Sequence, residues 1–355
     1  MSARKIRKPM KLNFKESNGP VDRRIHDLME MVGDVHHPEY IREMILCALK
    51  AGQEGMNRAD LKLMNTTLKE MRFTGKIFGP YRHVRKVTVF GSARTRPEDA
   101  AYETAALFGK KLREHGYMVI TGGGPGIMQA VNEGAGTDHS FGVNIRLPFE
   151  QKSNPVLDGS NKSIVYKYFF NRKVAFLKEA HAVALFPGGF GTLDEAMETL
   201  TLVQTGKRDL MPLVLVDPPG SVYWKRWLEF LKAQLMEQEY ISPEDFHLFD
   251  RVESVEDAVA MIDRFYRRFH SMRFVNGRLV IRMNAPIPDE MVGELAVKYA
   301  DILTEGGGIE ASAALPEEEN EPELAHLPRL LLNFDRHHFG RLRQLVDDLN
   351  DAPLE

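Results

Sequence analysis

Apolar residues change their spacing twice along the chain, and the changes divide it into three parts. Over residues 1–80 they recur at intervals of three and four, as in IHDLMEMV and YIREMILCALKAG, which is the spacing of one helical face. A helical amino-terminal extension is predicted there. From Lys86 the pattern becomes short continuous apolar runs separated by helical stretches: KVTVFGS, a helix from about Pro97 to His115, YMVITGGG, a helix from about Pro125, and FGVNIRLP. A helix around Asn171 to Ala180, the run HAVALFPGG, a helix after Thr192 and the run MPLVLVDP follow. Val/Ile/Leu runs without alternation mark strands covered on both faces. Their regular alternation with helices predicts an α/β domain over 81–270, a Rossmann-like doubly wound parallel sheet. The stretches Ser221–Gln234 and Val255–Phe269 read as covering helices that close it. In RFVNGRLVIRM, Asn276-Gly277 between two apolar strands is a strong hairpin signal. A helix near Asp289 to Leu303, a strand near Ile309, the strand PRLLLNF and a last helix complete a small α+β module over 271–355. The acidic tract PEEENEPE within it is expected to be a solvated loop, because like charges repel and stay hydrated.

Composition narrows the class. With 355 residues, 43% of them hydrophobic, the chain is long enough for one large domain with appendages. A formal net charge of -3 gives no whole-protein field toward nucleic acid or an anionic membrane. The basic opening MSARKIRKPMKLNF has no aromatics interleaved with its cations to stack bases, and reads as a solvated terminus rather than an RNA-binding arm. Cys47 is the single cysteine, which excludes an internal disulfide and a thiolate metal cluster and points to a reducing compartment, so a cytoplasmic location is expected. No apolar run reaches the roughly 18 residues of a membrane span. His36-His37 and His337-His338 lack the i, i+4 spacing of a zinc site. No metal, cofactor, nucleic acid or membrane partner is expected.

Ligands of an open parallel sheet bind beyond the carboxyl ends of its strands. Three such ends carry small residues here: Gly91-Ser92, TGGGPG from Thr121 to Gly126, and PGGFGT from Pro187 to Thr192. Glycine lets backbone N–H groups approach an anion, and the helix that follows directs its positive end at it. TGGGPGIMQ does not fit G-x-G-x-x-G, since Ile127 stands near the place of the last glycine, and no G-x-x-x-x-G-K-[ST] occurs. The elbows therefore favour a mononucleotide or sugar phosphate over NAD or ATP. Upstream, Arg172 and Lys173 open a helix, a position slightly unfavourable for cations unless they serve a ligand. In PGGFGTLDE, Thr192 is expected to cap the next helix, with Glu195 closing a capping box.

GSARTRPED, TGGGPGIMQAVNEGA, the RK pair before a helix and PGGFGTLDE, in that order over residues 85–235, resemble the Lonely Guy (LOG) family, whose signature is PGGxGTxxE. VNIRLPFEQKSNP is similar to a segment of its long bacterial members. The resemblance implies a nucleoside 5'-monophosphate phosphoribohydrolase, which cuts the N-glycosidic bond to give free base and ribose 5-phosphate, and implies a homodimer or higher homo-oligomer. By position, Arg172 and Glu195 would be the catalytic pair. Ser92, Gly123, Gly124, Lys173, Gly188, Gly189, Gly191 and Thr192 would bind the substrate. Phe169, Phe170 and Asn171 stand where plant-type members read Met-His-Glu, which favours AMP or another ordinary nucleotide over a cytokinin nucleotide. The older label of lysine decarboxylase finds no support, since nothing in the chain points to a pyridoxal phosphate site.

A carboxylate in the first turn of a helix is favoured in its ionised form by the dipole and by nearby N–H groups. Glu195 is accordingly expected to be an anion suited to steadying an oxocarbenium-like sugar. Arg172 is expected either to relieve charge on the leaving base or to hold the phosphate. A nucleotide- or cofactor-binding protein of the same fold is the alternative, but it would have no need of that carboxylate.

Overall fold

The computed structural model describes residues 17–148 and 153–353. The opening MSARKIRKPMKLNF and part of VNIRLPFEQKSNP lie outside the described residues. The chain divides into two compact units, Met1–Lys69 and Glu70–Glu355. Within the described part of the first, α1 (Pro20–Val32) and α2 (Pro38–Gln53) each begin on proline, whose fixed φ suits a helix start. Arg42 on α2 pairs with Asp22 on α1 at 2.9 Å, and Ile25 and Leu46 are buried. The next helix, α3 (Arg58–Phe78), runs across the division into the second unit.

Among the described residues the second unit is built on seven parallel strands: β1 (Lys86–Phe90), β2 (Met118–Thr121), β3 (Ser140–Ile145), β4 (Ser163–Tyr166), β5 (Ala182–Leu185), β6 (Leu213–Val216) and β7 (Asp250–Val252). Their order is β4-β3-β2-β1-β5-β6-β7. Between them run α4 (Ala100–Glu114), α5 (Ile127–Ala135), α6 (Phe169–Lys178), α7 (Phe190–Gln204), α8 (Tyr223–Leu231) and, after β7, α9 (Val255–Phe265). The doubly wound α/β class is as read from the sequence, and burial gives its cause. In β1, Val87 and Val89 pack with α4, α5 and α9 on one face, while Phe90 packs with α6, α7 and α8 on the other. A strand covered on both faces has no solvent-facing side, and its polar residues Lys86 and Thr88 are buried and donate to backbone carbonyls.

Two strands carry weaker signals. β4 has one exposed and one half-buried position among its four, and β7 is three residues long. The helix expected over Val255–Phe269 ends instead at Phe265, because Phe269 already begins β8 (Phe269–Val275). The hairpin joins β8 to β9 (Arg278–Met283) through Asn276 at φ 48° and Gly277 at φ 89°, the two left-handed positions a tight primed turn requires. With α10 (Asp289–Lys298), β10 (Ile309–Ser312), β11 (Arg329–Leu332) and α11 (Phe339–Asp351), this forms an antiparallel sheet of order β10-β11-β9-β8. Leu279, Ile281 and Leu330 of this sheet join the same apolar cluster as Phe176 and Leu185 of the large one.

The acidic tract is not simply solvated. Glu318 is 4% exposed and accepts from Arg282 Nε at 2.8 Å and Arg329 Nε at 3.1 Å, while Glu321 pairs with Arg273 and Arg282. Repulsion within the tract is offset by three arginines on the strands facing it. Burial alone would raise the Glu318 pKa, but the Leu315 N–H and the guanidinium groups outweigh it and hold the group down at about 2. A folded value below the ordinary 4.5 contributes stability that is present above pH 4.5 and lost as pH falls toward 2. Glu318→Ala should cost about 3–5 kcal/mol at pH 7, measured by urea unfolding, since it leaves buried guanidinium charge unpaired. The difference from the parent protein should shrink in acid.

Candidate active site

From β1 the chain winds outward through β2, β3 and β4, then returns to the other side of β1 as β5. The strand order therefore reverses between β1 and β5, and a crevice opens beyond their carboxyl ends. Two close backbone approaches shape it. The Ser92 N–H donates to the Pro187 carbonyl at 3.1 Å, joining the loop after β1 to the elbow after β5. A Cβ on Gly188 would lie 2.1 Å from Thr192 Oγ1 and 3.0 Å from Ser92 N, so only glycine fits. On the opposite side the Ser92 carbonyl accepts from the Ile127 N–H at 3.0 Å, and a Cβ on Gly126 (φ 68°) would lie 2.3 Å from that carbonyl oxygen. The Tyr223 hydroxyl donates to the Gly188 carbonyl at 2.7 Å and fixes the elbow from below.

The crevice is a cavity of about 940 Å³. Of the residues expected at the site, Ser92, Arg172, Gly188, Gly189, Gly191, Thr192 and Glu195 line it together. Gly123, Gly124 and Lys173 are not among its lining residues. Gly123 (φ 69°) is turned against Asn144, and its carbonyl and that of Gly124 accept from the backbone N–H and side-chain amide of Asn154. Lys173 Nζ lies 2.9 Å from Asp194 and 3.0 Å from Glu198, which ties α6 to α7. Arg94, Met128 and Phe169 also line the cavity. Arg94 falls within GSARTRPED, on an exposed loop with no periodicity to mark it.

The expected capping box at Thr192 does not form. Gly189, in an extended conformation, occupies the cap position, and α7 begins at Phe190 with no side-chain cap. Two adjacent glycines let the chain turn into the helix early, so Thr192 is its third residue and Glu195 its sixth. Both then face inward. Glu195 is 7% exposed, and its Oε2 has no hydrogen-bond partner among the described residues. Six residues in, the helix dipole has faded, since it acts mainly within the first turn. Burial pushes the Glu195 pKa up to about 7, with the nearby Lys173 and Arg172 charges pulling against it. The expectation of a carboxylate held permanently ionised by the helix start is corrected accordingly. Near neutral pH, Glu195 exists in both protonation states.

Arg172 projects from the first turn of α6. Its guanidinium lies 5.0 Å from the Phe176 ring centroid and 5.7 Å from that of Phe169, within range of a cation–π attraction. Burial draws its pKa below the ordinary value, and the Glu195 charge acts the other way. Its Nε is buried without a partner among the described residues. Gly122 makes room for it, because a Cβ there would stand 2.7 Å from Met128 Sδ and 2.9 Å from Arg172 Nη2. The residue before Arg172 is held in turn. Asn171 Nδ2 donates to Glu70 Oε2 and the Lys167 N–H to Glu70 Oε1, both at 2.6 Å, from the second half of α3. Among the described residues no three His, Cys, Asp or Glu side chains come together as a metal site, and no helix is long and apolar enough to cross a membrane.

Residues 128–262 match the family model described as "Possible lysine decarboxylase". A probable cytokinin riboside 5'-monophosphate phosphoribohydrolase of rice (Oryza sativa subsp. japonica) is 27% identical over 46% of this chain and 64% of its own length. Another rice protein, a cytokinin riboside 5'-monophosphate phosphoribohydrolase, is 32% identical over 43% of this chain and 62% of its own. The pyrimidine/purine nucleotide 5'-monophosphate nucleosidase of Escherichia coli (strain K12) is 29% identical over 36% of this chain and 30% of its own. The chain thus spans less than two thirds of each of these relatives. Family model and relatives bear out the resemblance to the Lonely Guy family that PGGFGTLDE and its companion motifs carry.

Proposed function

We propose that the cavity binds a nucleoside 5'-monophosphate and hydrolyses its N-glycosidic bond to free base and ribose 5-phosphate. Glu195 carries the reading. A carboxyl group 7% exposed, unpaired at Oε2 and raised to about 7 costs the fold when it ionises, yet it lines an open cavity shared with Arg172 and a glycine elbow. Strongly shifted groups in clefts are candidates for chemistry. A protein that only carried a nucleotide would use the elbow and gain nothing from this acid. The names of the relatives point to the same reaction.

In this reading water adds at C1′ as the C1′–N bond breaks. Ionised Glu195 faces the ribosyl carbon while it becomes cationic, a stabilisation that is strongest where water is excluded. Glu195 takes one proton from the attacking water, the departing base takes one from solvent, and Glu195 then returns its own to solvent, so that the carboxylate is restored. Arg172 is the cation of the pair. AMP or a related purine nucleotide is the substrate we favour, cytokinin nucleotides being the narrower possibility within that class. The 81–270 domain holds the chemistry, with 1–80 and 271–355 as appendages. Phe169, Phe170 and Val174 on α6, each about half exposed, offer an apolar face for a homodimer. One cysteine in the whole chain fits a cytoplasmic setting.

Incubation with AMP, GMP, CMP and UMP should release free base and ribose 5-phosphate, resolved by chromatography; no base from any of them would overturn the proposal. Because the carboxylate is the working form, kcat/KM for AMP should climb between roughly pH 6 and pH 8, and Glu195→Gln should lower kcat by about 10²–10⁴. A profile that fell with pH would make Glu195 the proton donor instead. The same group has a stability signature. Its folded pKa lies above the ordinary 4.5, so its contribution is complete below that pH and is lost as pH rises through about 7. At about 1.4 kcal/mol per pKa unit, ionising it costs the fold on the order of 3 kcal/mol. Glu195→Gln should therefore unfold in more urea than the parent protein at pH 8, and in nearly the same urea at pH 5. Gly122→Ala should fold, since it collides only with the ends of the flexible Met128 and Arg172 side chains, but its kcat should fall about tenfold or more as Arg172 is displaced.

A further inference from the structure

We propose that Arg94, on the loop after β1, is the cation that grips the 5'-phosphate, leaving Arg172 to the glycosidic side of the cavity. The inference rests on the reading above, that the ligand is a nucleoside monophosphate. Among the described residues two arginines line the cavity, and Lys173 is engaged with Asp194 and Glu198. Arg172 shares its surroundings with Glu195, whose charge acts on it. Seating a phosphate dianion against Arg172 would bring that dianion up to the Glu195 carboxylate, and like charges in a partly buried site oppose one another's ionisation. The monoester is better placed away from Glu195.

Arg94 meets that requirement. It is exposed on the cavity rim, and no side-chain hydrogen bond or ion pair engages its guanidinium among the described residues. Its backbone is nevertheless fixed. The Ser92 N–H and carbonyl are bound to Pro187 and Ile127, and Ser92 Oγ accepts the Arg94 N–H at 3.1 Å. The guanidinium therefore moves from an anchored base beside the elbow. Across from it, Gly189 and Gly191 at the start of the 15-residue α7 have no atom within 4 Å of where a Cβ would stand, which leaves open space over their backbone for phosphate oxygens. A guanidinium fork on one side and helix N–H groups on the other suit a terminal monoester, which presents several oxygens at once.

The test separates phosphate from base and sugar. Arg94→Gln should raise KM for AMP about 10- to 100-fold, as expected for loss of a charge-assisted pair, and far more than it lowers kcat. By calorimetry it should weaken ribose 5-phosphate binding by a similar factor, while inhibition by adenosine, which has no phosphate, stays as in the parent protein. Arg94→Lys, which keeps the charge without the fork, should recover part of the loss. Arg172→Gln should show the reverse pattern, a fall in kcat with ribose 5-phosphate affinity retained. Unchanged ribose 5-phosphate binding in Arg94→Gln, an equal loss of adenosine, or no ribose 5-phosphate binding by the parent protein would overturn the assignment. Arg94-dependent ribose 5-phosphate binding without base release from any nucleotide would sink the catalytic reading and leave this one standing.

Discussion

The contact on which the site depends is the approach of two backbones at the place where the sheet reverses its strand order. The Ser92 N–H reaches the Pro187 carbonyl only because Gly188 presents no side chain to the space between them. That approach fixes the entry of α7. The helix then begins two residues before its threonine, and Glu195 is carried inward to the cavity wall beside Arg172. Any larger residue at 188 would push the strand-end loops apart and, with them, the groups they hold.

The large architecture was legible in the chain because burial on both faces leaves a direct imprint on composition. Five of the seven parallel strands, the Asn276-Gly277 hairpin and the order of the helices all stood out as apolar runs and turn residues. β4 and β7 did not, since short strands at the two margins of the sheet bury too little to read as runs. The lining of the cavity was legible in part, and its geometry less so. Seven of the ten residues named from the motifs converge on the cavity. Gly123 and Gly124 are taken up by Asn154, a partner about 30 residues further on that no local pattern announces. The protonation of Glu195 is not legible in the sequence, because helix position is a local property, whereas desolvation is imposed by everything packed around the group.

Charge is handled in opposite ways at two buried glutamates of the second unit. Glu318 is as deeply buried as Glu195, but it is surrounded by donors and stays ionised into strong acid. Glu195 has cations nearby and no hydrogen bond to Oε2. The first arrangement locks a tract of chain onto a sheet. The second leaves an acid in want of a partner, which is how a fold stores reactivity at some expense to its own stability.

The hold of Glu70 on Asn171 constrains which residues this chain can accept at either position. A glutamate in place of Asn171 would meet the Glu70 carboxylate head-on in a buried setting. An amide at one position and an acid at the other are thus a matched set, one change blocking the other unless both are replaced. Through Glu70 the third helix thereby limits what can stand next to Arg172.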